Sequence, residues 1–254
     1  MFDVFGIKGK ALPWISDFLK SRVIRVKTLS KDFKLSQGVP QGLVLSPTLF
    51  SMFLAGVGKF ITENSSIGLF ANDIVLWHSS HDIPSIEANI SQCLSRVNDF
   101  ATNHKLSFNL TKSVTSFFTT NRHLYKYQPT VFINNQKLLY VKHPKYLGFT
   151  LDQEILCNWH IEDLINKSRK RLNILKYISG RDWGADASTL KITYTTLIRP
   201  ILEFGFAIFF IASDSNLKKL ERIQLSAARI IAGLRNSCPN NLVLYECDLH
   251  PLNM

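Results

Sequence analysis

The sequence predicts an α+β chain, with strands and helices mixed up to about residue 152 and helices alone beyond it. Three observations point that way. Period-two patterns and tight-turn residues recur between residues 22 and 151, as in Arg22-Val23-Ile24-Arg25-Val26-Lys27 and around Asn134-Asn135. From residue 158 the apolar residues change to helical spacing. With 46% hydrophobic residues, 254 residues can bury a real core in one large domain or two modest ones. A boundary is expected near 152–158.

Residues 9–21 read as a helix, with Leu12, Ile15, Phe18 and Leu19 on one side. The alternating segment 22–27 is a strand with a basic face. Ser46-Pro47 supplies an N-cap followed by proline at the first helical position. Leu49, Phe50, Phe53, Leu54, Val57 and Phe60 then fall on a helix packed inward. Leu69-Phe70-Ala71-Asn72-Asp73-Ile74-Val75-Leu76-Trp77 reads as apolar strand, turn and apolar strand, and carboxylates on such a turn can hold metal.

Residues 82–103 place Ile86, Ile90, Cys93, Leu94, Val97 and Phe100 at helical spacing, with Pro84 in the first turn. Strands are expected near 114–119, 130–133, 137–141 and 146–151, with Asn134-Asn135 as a tight hairpin turn between the middle two. Helices follow over 158–178, over 187–211 with a kink at Pro200, and over 214–234 ending near Gly233.

The formal net charge of +11 creates a field that attracts polyanions. Charge alone does not choose between DNA, RNA and an anionic membrane surface. The four cysteines, Cys93, Cys157, Cys238 and Cys247, are widely spaced in a chain too long to need disulfide staples. They read as core residues in a reducing compartment, so an intracellular location, nucleus or cytoplasm, is expected. Cys238, Cys247 and His250 lack both a close cysteine pair and a fourth ligand, which argues against zinc. The start, Met1-Phe2-Asp3-Val4-Phe5-Gly6, has no basic region followed by a long apolar run, so no secretory signal is expected. The most apolar stretch, 201–212, is shorter than the roughly 20 residues a membrane span needs.

The acidic hairpin, preceded by Gln37-Gly38-Val39-Pro40-Gln41-Gly42-Leu43-Val44-Leu45-Ser46-Pro47, resembles the catalytic core of reverse transcriptases from non-LTR retrotransposons of the jockey type. The resemblance continues in Tyr146-Leu147-Gly148, Trp159-His160-Ile161, Trp183-Gly184-Ala185 and Leu197-Ile198-Arg199-Pro200-Ile201-Leu202-Glu203-Phe204-Gly205. It implies part of a polymerase palm over 1–152, an antiparallel sheet with packed helices. An all-helical thumb and C-terminal extension over 153–254 follows from the same likeness. The implied activity is RNA-directed DNA polymerisation on an RNA template and DNA primer with dNTPs, through two divalent cations such as Mg²⁺.

In the resembled enzymes the turn reads Phe or Tyr, Ala, Asp, Asp, and here the first Asp is Asn72. A neutral amide at that place removes a full negative charge from a site built to hold cations. Asp73 remains as the candidate metal ligand, against the plainer reading that Asn-Asp simply suits a tight turn. A further Asp is expected on a strand ahead of the Gly-Ile-x-Gly-Lys element, seen here as Gly6-Ile7-Lys8-Gly9-Lys10, which this chain starts just before. Asp3 lies immediately before that element and does not take the place. Phe70 retains the aromatic ring for packing against sugar or primer, without a hydroxyl.

Gly38, Gln41 and Gly42 are implied to lie under the template and incoming nucleotide, because glycine lets backbone approach a ligand and Gln41 offers an uncharged donor and acceptor. Lys112 matches a lysine near the triphosphate, or else is a solvated surface lysine. Lys20, Arg22, Arg25 and Lys27, with Lys167, Arg169, Lys170 and Arg171, read as phosphate contacts that position a duplex without reading its sequence; each run alone is more often a solvated face. The expected function is a reverse-transcriptase fragment, inactive as this chain. The alternative is a non-catalytic nucleic-acid-binding remnant.

Overall fold

The computed structural model describes residues 5–25, 31–35, 38–62, 65–180 and 183–252. In chain order its first elements are α1 (Ala11–Leu19), β1 (Arg22–Ile24), β2 (Phe33–Leu35), α2 (Ser46–Leu54), β3 (Ser65–Phe70), β4 (Asp73–His78) and α3 (Ile83–Asn103). Then come β5 (Val114–Thr115), β6 (Phe132–Ile133), β7 (Gln136–Lys137), β8 (Leu139–Tyr140), β9 (Lys145–Tyr146) and β10 (Phe149–Thr150). The last are α4 (Asn158–Ile178), α5 (Ala187–Leu197), α6 (Arg199–Leu202), α7 (Asp214–Ala232) and α8 (Asn240–Glu246). This is the expected α+β mixture, arranged in two compact units: Met1–Ser113 with Thr130–Leu138, and Val114–Pro129 with Leu139–Met254.

In the first unit β3 and β4 form an antiparallel hairpin with Phe70 opposite Asp73, leaving Ala71-Asn72 as the turn. Ile67, Leu69 and Leu76 face a core built on Leu54, Val57, Val97 and Phe100. That core draws on α2, the 3-10 turn Ala55–Phe60 and α3. A second cluster seats Ile90 and Leu94 against Val131, Ile133 and Leu138. Helix α3 therefore serves both hairpins, as its apolar spacing requires. The Asp82 carboxylate caps it by accepting from the Ser85 backbone N–H at 3.1 Å.

Helix α2 departs from expectation at its start. Ser46 is itself the first helical residue, Leu45 holds the cap position, and no side chain caps the helix. The Ser46 hydroxyl is buried with no hydrogen-bond partner, so only Pro47 contributes as the sequence suggested. Phe60, expected inside, is 39% exposed because the helix tightens to 3-10 geometry after Leu54 and rotates the later residues.

The strands after α3 are shorter than their apolar runs. Only two residues of each pair up, β5 in parallel with β8 and the others in antiparallel hairpins. Asn134 and Asn135, with φ of 50° and 60°, make the turn joining β6 to β7.

The second unit is centred on a helical core. Ile161, Leu164, Leu175, Tyr194, Ile198, Leu202, Leu220 and Val243 are all buried there. The stretch expected as one kinked helix over 187–211 is α5, α6 and a 3-10 turn at Phe206–Ile211. Pro200 has no N–H to continue the ladder from α5, and Gly205 leaves the right-handed region at φ 93°. Gly233, at φ 65°, ends α7 in the left-handed form, and Leu234 N–H returns to the Arg229 carbonyl. Cys93, Cys157 and Cys247 are buried, Cys238 is half-buried, and all four are free thiols. No described helix is long and apolar enough to cross a membrane.

Candidate nucleic-acid and catalytic site

The register of the β3–β4 hairpin sorts its side chains between two faces. Ile67, Leu69, Ile74 and Leu76 share the packed face. Ser66, Gly68, Phe70, Asp73, Val75 and Trp77 share the other. Phe70 and Asp73 are directly opposite each other beside the turn, and both are exposed, Phe70 at 60%. Asp73 has no ion pair or side-chain hydrogen bond among the described residues, so its carboxylate stands free at the hairpin tip. Ala71 takes φ 48°, a left-handed conformation that L-alanine adopts at a cost of about 1–2 kcal/mol. Asn72 follows it, exposed, in the turn itself. Trp77, 48% exposed, extends the open face beyond Gly68 and Val75. Its place was readable from strand alternation, being four residues after Asp73.

In the glycine-rich segment Gly38 and Gly42 both have positive φ, 79° and 84°, and a Cβ on either would meet nothing within 4 Å. Their role is conformational freedom and open backbone. Gln41 between them is exposed. Arg22 does not project freely as the alternation suggested. Its Nε donates to the Leu19 carbonyl at 3.0 Å and its Nη2 donates to the Gly38 carbonyl. The guanidinium thus ties the end of α1 to the glycine turn. Arg25 is engaged with Asp32 through paired hydrogen bonds of 2.6 and 3.0 Å. Lys20 is exposed, and Lys27 lies outside the described residues. Lys112 is exposed in a turn organised by Asn109, whose side chain accepts from the Thr111 backbone N–H at 3.1 Å. No hydrogen bond or ion pair joins Lys112 or Gln41 to Asp73 among the described residues.

Helix α4 presents the second basic set. Lys167, Lys170 and Arg171 line one shallow groove together with Ile174 and Ile201, a space of about 380 Å³. Arg169 is exposed elsewhere on the helix. Lys167 is paired with Asp163 at 2.7 Å, which holds that carboxyl below the usual range, whereas Lys170 and Arg171 have no ion pair among the described residues. The sequence reading missed the aromatic neighbours. Trp159 lies against His143 with ring centroids 4.5 Å apart, and Tyr177 meets Trp183 edge-on at 5.2 Å.

Comparison with known proteins bears on this arrangement. Residues 2–151, more than half of the chain, match the family described as reverse transcriptase (RNA-dependent DNA polymerase). The chain belongs to that family. It is 26% identical over 228 residues to a probable RNA-directed DNA polymerase from transposon X-element of Drosophila melanogaster, covering 86% of this chain and 24% of that protein. Against the RNA-directed DNA polymerase from mobile element jockey of the same fly it is 25% identical, covering 86% of this chain and 25% of the relative. The jockey polymerase of Drosophila funebris is 28% identical over 209 residues, covering 78% and 22%. This chain therefore spans about a quarter of the length of these curated relatives. No solved structure matches it.

Reverse transcriptases generally use divalent metal, and the donor set here can be judged against that need. No group of three or more His, Cys, Asp or Glu side chains that could hold a metal ion occurs among the described residues. Asp73 is a single carboxylate beside a neutral Asn72. Mg²⁺ takes anionic oxygens in near-octahedral order, and a pair of such ions needs several carboxylates. The described residues of this reverse-transcriptase chain do not fit a two-metal site.

Three of the segments that carry the resemblance meet in one place, whereas Trp183-Gly184-Ala185 lies at the far end of α4. Phe149, after Tyr146-Leu147-Gly148, stacks on Phe204 at 5.1 Å, and both rings lie beside His160. Gly205 closes the group from below. His160 is fully buried within the group, while Phe204 is 43% exposed at its edge.

Proposed function

We propose that this chain is a portion of a non-LTR retrotransposon RNA-directed DNA polymerase that holds an RNA template and DNA primer, with nucleotidyl transfer impaired at its acidic hairpin. Residues 1–152 serve as part of the palm, and 153–254 as the thumb and a helical extension. The single observation that carries the reading is the Phe70–Asp73 pair on the open face of a hairpin within the stretch that matches the reverse transcriptase family. Phe70 offers its ring to the primer sugar, and Asp73 faces the reacting groups. Gly38, Gln41 and Gly42 lie against the template base and the incoming dNTP, and Lys112 serves the triphosphate. Lys20, Lys27, Lys167, Arg169, Lys170 and Arg171 neutralise template–primer phosphates. Arg22 acts at one remove, through the Gly38 carbonyl it holds. Arg25 reaches a phosphate only by leaving Asp32.

Impairment follows from charge. Losing one anionic ligand from a site that must gather about four positive charges costs orders of magnitude in rate. The non-catalytic reading, a nucleic-acid-binding remnant, gains weight from the missing carboxylate cluster among the described residues. Two measurements on the full chain test the proposal. An RNA–DNA hybrid should bind with an affinity that falls steeply as salt rises. Primer extension on an RNA template with Mg²⁺ or Mn²⁺ should give little or no product for the native chain and more for Asn72→Asp. Incorporation by the native chain equal to that of the variant would refute the impairment, and salt-insensitive or absent hybrid binding would refute the template–primer role.

A further inference from the structure

Helix α4 carries more than positive charge. Counting 100° per residue, Trp159, Lys167, Lys170, Arg171, Ile174 and Tyr177, all exposed, fall within a sector of about 120° that borders the one holding the buried Ile161, Leu164, Leu172 and Leu175. The eighteen steps from Trp159 to Tyr177 span about 27 Å. At one end Trp159 is 52% exposed against His143, and at the other Trp183 is 63% exposed against Tyr177. Lys170 and Arg171 lie between them without an acidic partner among the described residues.

Trp183 is exposed yet held. Its ring lies over Gly180, where a Cβ would sit 3.0 Å from Cε2. A Cβ on Gly184 would come 2.1 Å from the Gly180 carbonyl oxygen, so the turn closes as tightly as glycine allows. Ala185 N–H then donates to the Ile178 carbonyl at 2.8 Å, returning the chain to the end of α4. An indole fixed on one side and open to solvent on the other loses little side-chain entropy when a flat ring stacks on it.

We propose that the outer face of α4 is a track for a single-stranded polynucleotide, whose bases stack on Trp159 and Trp183 while Lys167, Lys170 and Arg171 hold the phosphates between them. Aromatic platforms set along a basic groove suit unpaired bases, which have free π-faces, and give nothing extra to a duplex whose bases are already stacked. The inference rests on α4 being a nucleic-acid face, but not on any polymerase chemistry.

The test measures binding of the full chain to labelled oligothymidylate and to an abasic oligomer of equal length, which has the same phosphates and no bases. Oligothymidylate should bind at least about tenfold more tightly. Trp159→Ala and Trp183→Ala should each lose about five- to hundredfold on oligothymidylate and nothing on the abasic strand, with Trp183→Phe recovering most of the loss. Both indoles are largely exposed, so the melting temperatures should match that of the native chain. A Lys170→Gln, Arg171→Gln double variant should weaken both strands alike and lower the salt slope by about 1.4. An oligouridylate arm identifies RNA or DNA as the preferred strand, the same tryptophan dependence being required of whichever binds. Equal affinity for the abasic strand, or tryptophan variants without effect, overturns the stacking track while leaving the basic face intact. Failure of both strands to bind overturns the basic face as well. Tighter binding of a duplex that ignores the tryptophans would assign the helix to double-stranded nucleic acid and reject this proposal.

Discussion

A Cβ on Gly205 would lie 2.8 Å from Nε2 of His160, so the bare glycine is what lets the chain turn beneath the buried imidazole. The same Cβ would come 2.9 Å from Cε1 of Phe149, and the backbone is at φ 93°, where an L side chain is strained. Gly205→Ala therefore has no direction in which to relax. We expect a loss of about 3 kcal/mol, the sum of backbone strain and overpacking. Urea unfolding checks it, and a loss below about 1 kcal/mol would show that the ring cluster yields.

His160 makes the second unit sensitive to acid. Its Nδ1 accepts from the Thr150 N–H and its Nε2 donates to the Phe204 carbonyl, both at 3.4 Å, which requires the neutral ring. Burial holds its pKa below the ordinary value, despite the nearby Asp163 carboxylate, with Lys167 adding to the depression. The sign follows from linkage: the unfolded chain takes up the proton near pH 6.5 and the folded chain only lower. Stability from this residue is complete above about pH 6.5 and is lost as pH falls through the folded pKa. Stability measured from pH 8 to 5 should decline in the native chain. A His160→Asn variant, though less stable throughout, should show a flatter profile over that range.

Asp152 should be the main support for the start of α4. It is buried, and its carboxylate accepts from the backbone N–H groups of Leu156 at 3.2 Å, Cys157 at 3.0 Å and Asn158 at 3.3 Å. Cys157, at φ 58°, turns the chain into the helix, and without the carboxylate the three N–H groups lose the acceptor they share. Asp152→Ala should lower stability by about 2 kcal/mol. Asp152→Asn, which keeps one acceptor oxygen, should lose less. A helix that melts equally in both variants would place its support elsewhere.

Where local chemistry decides the structure, it could be read from the residues. The hairpin turn at Asn134-Asn135 needs left-handed backbone that asparagine tolerates, and residues 158–178 form the helix that their spacing indicates. Asp73 and Phe70 at the hairpin tip follow from simple alternation. Where a partner elsewhere decides, the sequence was silent. Arg22 and Arg25 both read as phosphate contacts in the sequence, yet one is drawn to the Gly38 carbonyl and the other to Asp32. Strands β5 to β10 each pair with a single neighbour over two residues, and which segment supplies that neighbour is not written in an apolar run. Helix α8 is too short for its period to stand out, and a tryptophan in a sequence does not show that it is exposed, as Trp159 on α4 and Trp183 after it both are.

Asn72 offers the sharpest test of what the hairpin tip can hold. Asn72→Asp would place a second carboxylate next to Asp73 on an exposed turn, where the two repel each other in the absence of a cation. The variant should thus be slightly less stable than the native chain in metal-free buffer. Adding Mn²⁺ should reverse the order, because a ligand that binds only the folded state stabilises it by mass action, by about 2.7 kcal/mol at 100 times its Kd. The native chain, with Asp73 alone, should show no comparable rise in Tm. A native chain that gains as much as the variant would mean that Asp73 already has carboxylate help from residues outside those described, and the impairment assigned to Asn72 would have to be withdrawn.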